Sequence, residues 1–432
     1  MTDMNKNKTL IITYYWPPAG GPGVQRWLKF VKYLPDFEIE PIVYCPENPN
    51  YPILDESLIN EIPDGVTILK QPINEPYGLA SLFSKGKSKK ISSGVIPKAK
   101  KQSIVEKAML YVRGNFFIPD ARKNWIKPSV EFLSQYIKDN NIETIITTGP
   151  PHSLHIIGLQ LKARLDVKWF ADFRDPWTTI GYHKDLKLTT SSKAKHLNLE
   201  QNVLNTADHI IVTSHHTKHE FETKTKKPIT VITNGYDGHN NSIEGKDEEF
   251  TLSHIGSLLS ERNPLVLWET LSELIKENKE FSEVFRLQLI GVVSDDVIES
   301  INQFGLKNHL DVVGYVSHDE AIKFQMKSQL LLLIEIDSED TKAIIAGKVF
   351  EYLIAETPIL ALGPKDADVE KIITSTNTGS YFNYTQKAEL KTQLLTYFDA
   401  FQNNTLCVNA IGLQPYSRKA LTEKLSQLIK DS

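Results

Sequence analysis

Residues 10–34, LIITYYWPPAGGPGVQRWLKFVKYL, run from an apolar stretch through a glycine-rich break into a helical-looking segment. Leu10, Ile11 and Ile12 read as a strand, residues 16–23 turn the backbone, and Arg26 to Leu34 continue as a helix. The glycines of the turn, Gly21 and Gly23 among them, permit positive φ and remove side chains. Amides at the helix start can therefore approach an anion and offer it the positive end of the helix dipole. The spacing is neither the G-x-G-x-x-G of dinucleotide-binding folds nor a P-loop, because no Gly-Lys-Ser/Thr follows. From these residues alone the turn is either a phosphate cradle or a structural bend.

The chain has 432 residues, 41% hydrophobic and 24% charged, enough for two cores of ordinary size, so two domains are expected. Cys45 and Cys407 stand far apart and make neither a metal pair nor a disulfide framework, which suits a reducing compartment. A net charge of -4 gives no global attraction to nucleic acid. Met1 to Lys8 is polar and the run Leu330 to Ile334 is far short of a membrane span, so a soluble, cytoplasmic protein is expected. His215, His216 and His219 cluster without a third ligand at motif spacing, and no metal site is expected.

Short β-branched runs alternate with amphipathic stretches. Leu10 to Thr13, Ile39 to Tyr44, Thr144 to Thr148, Val167 to Ala171, His209 to Thr213 and Val231 to Thr233 read as strands of one parallel sheet. The polar stretch Gly235 to Glu249 reads as a linker. Alternation then restarts, with strands at Thr251 to Ile255, Arg286 to Ile290, Leu310 to Val313, Leu330 to Ile334 and Ile359 to Leu362, a helix at Pro264 to Lys276, and a terminal helix at Tyr416 to Ile429. Sheets of this kind bind ligands outside the carboxyl ends of their strands, so the chemistry should lie on the loops that follow them.

Several of those loops are rich in functional groups. His152 and Ser153 follow Gly149-Pro150-Pro151, and Asp172-Phe173-Arg174-Asp175-Pro176-Trp177 places two carboxylates, a guanidinium and an indole after one strand. That second loop is either a ligand-binding cluster or an internal salt bridge closed by a proline turn. In the second half, Gly256 is trailed by Arg262, whose charge suits a diphosphate. Gly347, Lys348 and Glu351 open a helix that can hold phosphate oxygens and accept hydrogen bonds from sugar hydroxyls. Lysines crowd the segment from Lys85 to Lys101, which is either a solvated loop or a rest on anionic lipid headgroups.

Taken together, the glycine-rich first loop, residues 172–177, Asn234-Gly235-Tyr236-Asp237, Gly256 with Arg262, and the run from Gly347 to Pro364 resemble a bacterial glycosyltransferase of the GT-B fold, similar to glycosyltransferase family 4. The resemblance spans Leu10 to about Ile429. It implies an α/β protein of two Rossmann-like, doubly wound domains facing each other across a cleft. Residues 1–236 would form an acceptor-binding domain, 237–249 the linker, 250–414 the nucleotide-sugar domain, and 415–432 a helix returning to the first domain.

The implied reaction moves a sugar from a nucleotide-sugar donor to an acceptor hydroxyl with retention, without metal or cofactor, in surface polysaccharide or glycoconjugate synthesis. The acceptor would be a glycan or lipid-linked glycan, and the enzyme would be cytoplasmic or peripheral on the inner face of the membrane. By the same resemblance Gly21, Gly23, Gly256, Arg262, Gly347, Lys348 and Glu351 would bind donor, with Glu351 on the ribose. Arg174 and Trp177 would bind acceptor, and Asp172, Asp175 and His152 are the catalytic candidates. Two positions depart from the family pattern: Ala343 stands where a second glutamate is usual, and Ser257 where a basic residue is usual. A nucleotide-sugar 2-epimerase of the same fold and a catalytically silent nucleotide-sugar-binding scaffold are the alternatives.

Overall fold

A computed structural model describes residues 7–75, 104–238 and 245–431, and the basic segment Lys85 to Lys101 lies outside them. The chain divides into two compact units, residues 1–234 with 418–432 and residues 235–417.

The first unit is built on seven parallel strands: β1 (Asn7–Ile12), β2 (Ile39–Pro46), β3 (Thr67–Gln71), β4 (Thr144–Gly149), β5 (Lys168–Phe173), β6 (His209–Val212) and β7 (Ile229–Val231). Their order across the sheet is β3-β2-β1-β4-β5-β6-β7, so the winding reverses between β1 and β4. Alternation along a strand sends successive side chains to opposite faces. In β1, Leu10 and Ile12 join a core with Trp125, Leu133 and Ile157, whereas Ile11 joins another with Trp27, Leu28 and Val31. Because both faces are covered, β1 reads as an unbroken apolar run. The helix Arg418–Asp431 places Leu421, Leu425 and Ile429 four residues apart on that second core, packing beside the helix Pro22–Tyr33.

The second unit has six parallel strands: β8 (Phe250–Ile255), β9 (Phe285–Ile290), β10 (Leu310–Gly314), β11 (Leu330–Ile334), β12 (Ile359–Leu362) and β13 (Gly379–Phe382). They run in the order β10-β9-β8-β11-β12-β13, with the reversal between β8 and β11. Leu330, Leu332 and Ile334 face a core with Leu267, Trp268 and Leu271 of the helix Leu265–Glu277, while Leu331 and Leu333 face Val349 and Phe350 of the helix Lys348–Leu353.

Sequence periodicity finds eleven of these strands but not β3 or β13. Both are edge strands whose residues are mostly half-exposed or exposed, so neither carries the apolar run that marks a doubly covered strand. The last strand of the first sheet also sits earlier than expected, at Ile229–Val231. The stretch expected as a linker is anchored at its end: Lys246 Nζ donates to Ser328 O and to Thr357 Oγ1, so these residues belong to the second unit. Tyr236 is bound there too, its N–H donating to Tyr416 O at 3.0 Å.

The terminal helix contributes core, not merely a tail. Leu425 is 1% exposed, so Leu425→Ala should destabilise the first unit by about 2–5 kcal/mol, read as a lower urea midpoint with an unchanged slope. An unchanged midpoint would mean that the helix does not support this core.

Candidate functional site

In the second unit, charged groups collect where β8 and β11 end. Gly256 follows β8 with φ +117, and a Cβ there would lie 3.1 Å from Lys348 Nζ, so the absent side chain leaves room beside the ammonium. Lys348 Nζ stands 3.3 Å from Nε2 of the fully buried His254. Arg262 closes a short turn, Ser260–Arg262, that Asn263 braces by accepting from Trp268 Nε1 at 2.7 Å and donating to Ser300 Oγ at 2.8 Å. Its Nη2 lies 3.8 Å from Glu335 Oε2, directly after β11. Glu335 is 2% exposed, and its Oε1, like Arg262 Nε, is buried without a hydrogen-bond partner among the described residues.

The electrostatics follow from this crowding. Burial raises the Glu335 carboxyl, against the lowering pull of Arg262 and Lys348. Burial, then the Arg262 charge, lowers Lys348 to about 8, against Glu335 and Glu351. Two cations, of which burial lowers the pKa of one, thus share the site with the buried Glu335 carboxyl and with Glu351. Glu351, half-buried on the helix Lys348–Leu353, accepts from Gln325 Nε2 at 2.9 Å through Oε2, and its Oε1 accepts no hydrogen bond among the described residues. Gly347 precedes that helix without a side-chain cap.

In the first unit Asp172 is a core residue. It is 0% exposed; Arg26 Nη2 donates to Oδ1 at 2.8 Å, while Trp27 Nε1 and Thr148 Oγ1 donate to Oδ2 at 2.9 and 2.8 Å. Arg26 Nη1 also donates to Thr233 O at 2.7 Å, so one ion pair ties together the helix Pro22–Tyr33, β4, β5 and the segment after β7. Burial would raise the Asp172 carboxyl, but the Arg26 charge and the hydrogen bonds from Arg26 and Thr148 hold it below the usual range.

The other residues of that loop separate. Arg174 donates to the backbone carbonyls of Gly149 and Pro150, and a Cβ on Gly23 would run into its guanidinium, so the structure brings Gly23 and Arg174 together. Gly21, at φ +103, caps the helix Pro22–Tyr33 without a side-chain hydrogen bond. Asp175 is half-buried and makes no hydrogen bond among the described residues. Burial raises its carboxyl, Arg174 lowers it and Asp172 raises it again. Trp177 is 1% exposed, stacks on His152 at 4.6 Å and donates to His196 Nδ1 at 3.2 Å. His152 is itself buried with both ring nitrogens out of solvent, and burial followed by its histidine and Arg174 neighbours holds its pKa well below the usual value.

Three expectations are therefore corrected. Asp172 is saturated by Arg26, Trp27 and Thr148 and cannot reach an acceptor; of its two readings, the internal salt bridge is the one the structure contains. His152 and Trp177 stack inside the fold, so neither presents a polar atom to a ligand. Asp175 and Arg174 remain at the loop surface. Sequence reasoning also passed over Arg26, His254 and Glu335. Each carried a signal: Arg26 on the apolar side of an amphipathic helix, His254 inside an apolar strand, and Glu335 at the end of a run of four leucines and an isoleucine.

Residues 95–239, most of them in the first unit, match Glycosyltransferase Family 4. No curated protein sequence matches the chain. Solved structures of similar fold include a glycosyltransferase from Rickettsia africae ESF-5, at 14% identity and TM-score 0.61 over 99% of this chain and 98% of that one. HepE from Anabaena in complex with UDP has 11% identity and TM-score 0.61 over 98% of this chain and 100% of that one. A putative UDP-N-acetylglucosamine 2-epimerase from Listeria monocytogenes has 13% identity and TM-score 0.53 over 99% and 96%. The two parallel sheets have the GT-B architecture, and the resemblance to family 4 glycosyltransferases holds.

Replacing Asp172 by Asn leaves Arg26 buried without its counter-charge. Asp172→Asn should lower stability by about 3–5 kcal/mol at pH 7. The deficit should shrink in acid, because a carboxyl whose folded pKa is lowered contributes above its unfolded pKa and loses that contribution as pH falls through the folded value. Urea midpoints of both proteins across the acid range check this; equal midpoints at pH 7 would contradict it.

Proposed function

We propose that this chain moves a sugar from a nucleotide-sugar donor to an acceptor hydroxyl, with retention at the anomeric carbon and without a bound metal. The observation that carries the proposal is the convergence of Arg262 and Lys348 beside Gly256 at the carboxyl ends of β8 and β11. As the bond from the anomeric carbon to the donor phosphate breaks, negative charge grows on the leaving diphosphate, and two fixed cations in a water-poor site lower that barrier. Glu351 Oε1 is open to accept from ribose hydroxyls, and HepE, solved with UDP, shares the fold.

No protein base is needed on this reading, since a donor phosphate oxygen can take the acceptor proton as the glycosidic bond forms. The first unit would receive the acceptor, a glycan or lipid-linked glycan in surface polysaccharide or glycoconjugate synthesis. Arg174 and Asp175 are its proposed contacts, and Gly21 and Gly23 a proposed anion cradle on the same unit. Among the described residues no helix is long and apolar enough to cross a membrane. The cytoplasmic or inner-face setting is part of the same proposal. The Listeria fold neighbour gives weight to a 2-epimerase reading, against which stands the match of residues 95–239 to Glycosyltransferase Family 4. A panel of nucleotide sugars separates them: a transferase releases nucleoside diphosphate in proportion to glycosylated acceptor, whereas an epimerase yields the 2-epimer without acceptor.

Lys348→Met should lower kcat/KM by about 10²–10³-fold. In the wild type, donor affinity should be full below about pH 8 and fall as pH rises, because Lys348 binds the diphosphate only while it holds its proton. A wild-type affinity flat from pH 7 to about 9.5 would remove Lys348 from the donor site. Turnover should also survive excess EDTA; loss restored by Mn²⁺ would overturn the metal-independent mechanism.

A further inference from the structure

His254 is an ionisable residue in the middle of an apolar sheet, 0% exposed on β8, and both of its ring nitrogens are engaged. Four buried histidines of the first unit differ, for His152, His155, His183 and His196 each leave at least one ring nitrogen without a hydrogen-bond partner among the described residues. The partners of His254 fix its tautomer. Nδ1 lies 3.1 Å from Leu332 O, and a carbonyl can only accept, so Nδ1 carries the hydrogen. Nε2 is then a bare lone pair, and the Lys348 ammonium, which can only donate, faces it at 3.3 Å, with the Ser257 backbone also beside the ring. Burial first and then the Lys348 and Arg262 charges oppose protonation of the ring, against hydrogen bonding to the Leu332 and Ser257 backbones, and hold its pKa well below the usual value, so the imidazole stays neutral.

Lysine carries a compact charge on a flexible stem, and a site that uses it needs something to hold it in place. Around Lys348 stand Arg262 from the turn after β8, Glu335 after β11, Glu351 on its own helix and His254 on β8. The two carboxylates attract the ammonium without a hydrogen bond to it among the described residues. Among the described residues only His254 bonds it, in a direction set by Leu332. Gly256 keeps the ammonium uncovered, since a Cβ there would stand 3.1 Å from Nζ.

We propose that His254 is a positioning residue: locked in one tautomer by Leu332, it holds the Lys348 ammonium beside Gly256, where a donor phosphate would meet it. The inference rests on the reading of this unit as the donor-binding unit. It predicts different behaviour from two substitutions of similar size. Asparagine places an amide near Nδ1 and keeps the bond to Leu332 O, but it is too short to reach Lys348. Glutamine carries an amide oxygen out to the place of Nε2.

Titration of inorganic pyrophosphate, a probe that needs no knowledge of the base, tests the difference by calorimetry. His254→Asn should weaken binding about tenfold to hundredfold and move the pH at which affinity falls to a lower value. His254→Gln should stay within about threefold of the wild type. Equal losses in the two variants, or none in His254→Asn, would overturn the role of His254. Lys348→Met keeps the two proposals apart. If it leaves pyrophosphate affinity unchanged, the donor-site reading itself fails; if it costs affinity while His254→Asn does not, only the positioning role fails. Should His254→Asn not fold, the wild type still decides: imidazole ¹⁵N shifts from about pH 6 to 9 should show a protonated Nδ1 and a bare Nε2 for His254. A proton on Nε2 would refute the proposal.

Discussion

A parallel strand covered on both faces can carry an ionisable side chain almost only at its carboxyl end, and a carboxylate placed there out of water must find its counter-charge within the protein. Both units meet this constraint, in different ways. Asp172, at the end of β5, is closed off by Arg26 at 2.8 Å with hydrogen bonds from Trp27 and Thr148. Glu335, just past β11, has Arg262 no nearer than 3.8 Å and leaves Oε1 without a hydrogen-bond partner among the described residues. The first arrangement is complete without a ligand, whereas the second leaves Glu335 Oε1 and Arg262 Nε without a hydrogen-bond partner among the described residues.

A satisfied buried ion pair is costly to break and offers nothing to a substrate, so Asp172 serves by clamping a helix, two strands and the chain after β7. The second cluster holds two cations, Arg262 and Lys348, beside the hindered Glu335 carboxyl and Glu351, and its unsatisfied polar atoms are why the donor site is proposed there. The loop after β5 is divided by the same rule. Asp172 and Trp177 turn inward to partners, and Arg174 and Asp175 stay half-buried at the rim, Asp175 without a hydrogen bond among the described residues.

Small residues and distant segments make these arrangements possible. Gly23 lets the Arg174 guanidinium lie against the start of the helix Pro22–Tyr33, and Gly256 leaves Lys348 uncovered. The helix Arg418–Asp431 comes last in the chain yet supplies Leu421, Leu425 and Ile429 to the core beneath the glycine-rich turn of the first unit. The first unit is therefore incomplete until the second has been made.

The sequence by itself determined the architecture. Runs such as Leu10 to Ile12 and Leu330 to Ile334 announce doubly covered parallel strands, the glycine-rich turn announces the strand-to-helix junction, and the ordered motifs from Gly21 to Glu351 point to the GT-B resemblance. These are local signals, because period, turn chemistry and spacing are carried by neighbouring residues. The edge strands β3 and β13 escaped because half-exposed residues carry little apolar pattern. Only the tertiary structure decided what each charged residue does. Asp172 and Asp175 are three positions apart in one loop and look alike as text, yet Arg26, 146 residues before Asp172, neutralises one and not the other. Likewise His254 pairs with the carbonyl of Leu332, 78 residues on, and faces Lys348, 94 residues on. Charge, protonation and access are set by groups that approach through space, and a linear order of residues does not contain those distances.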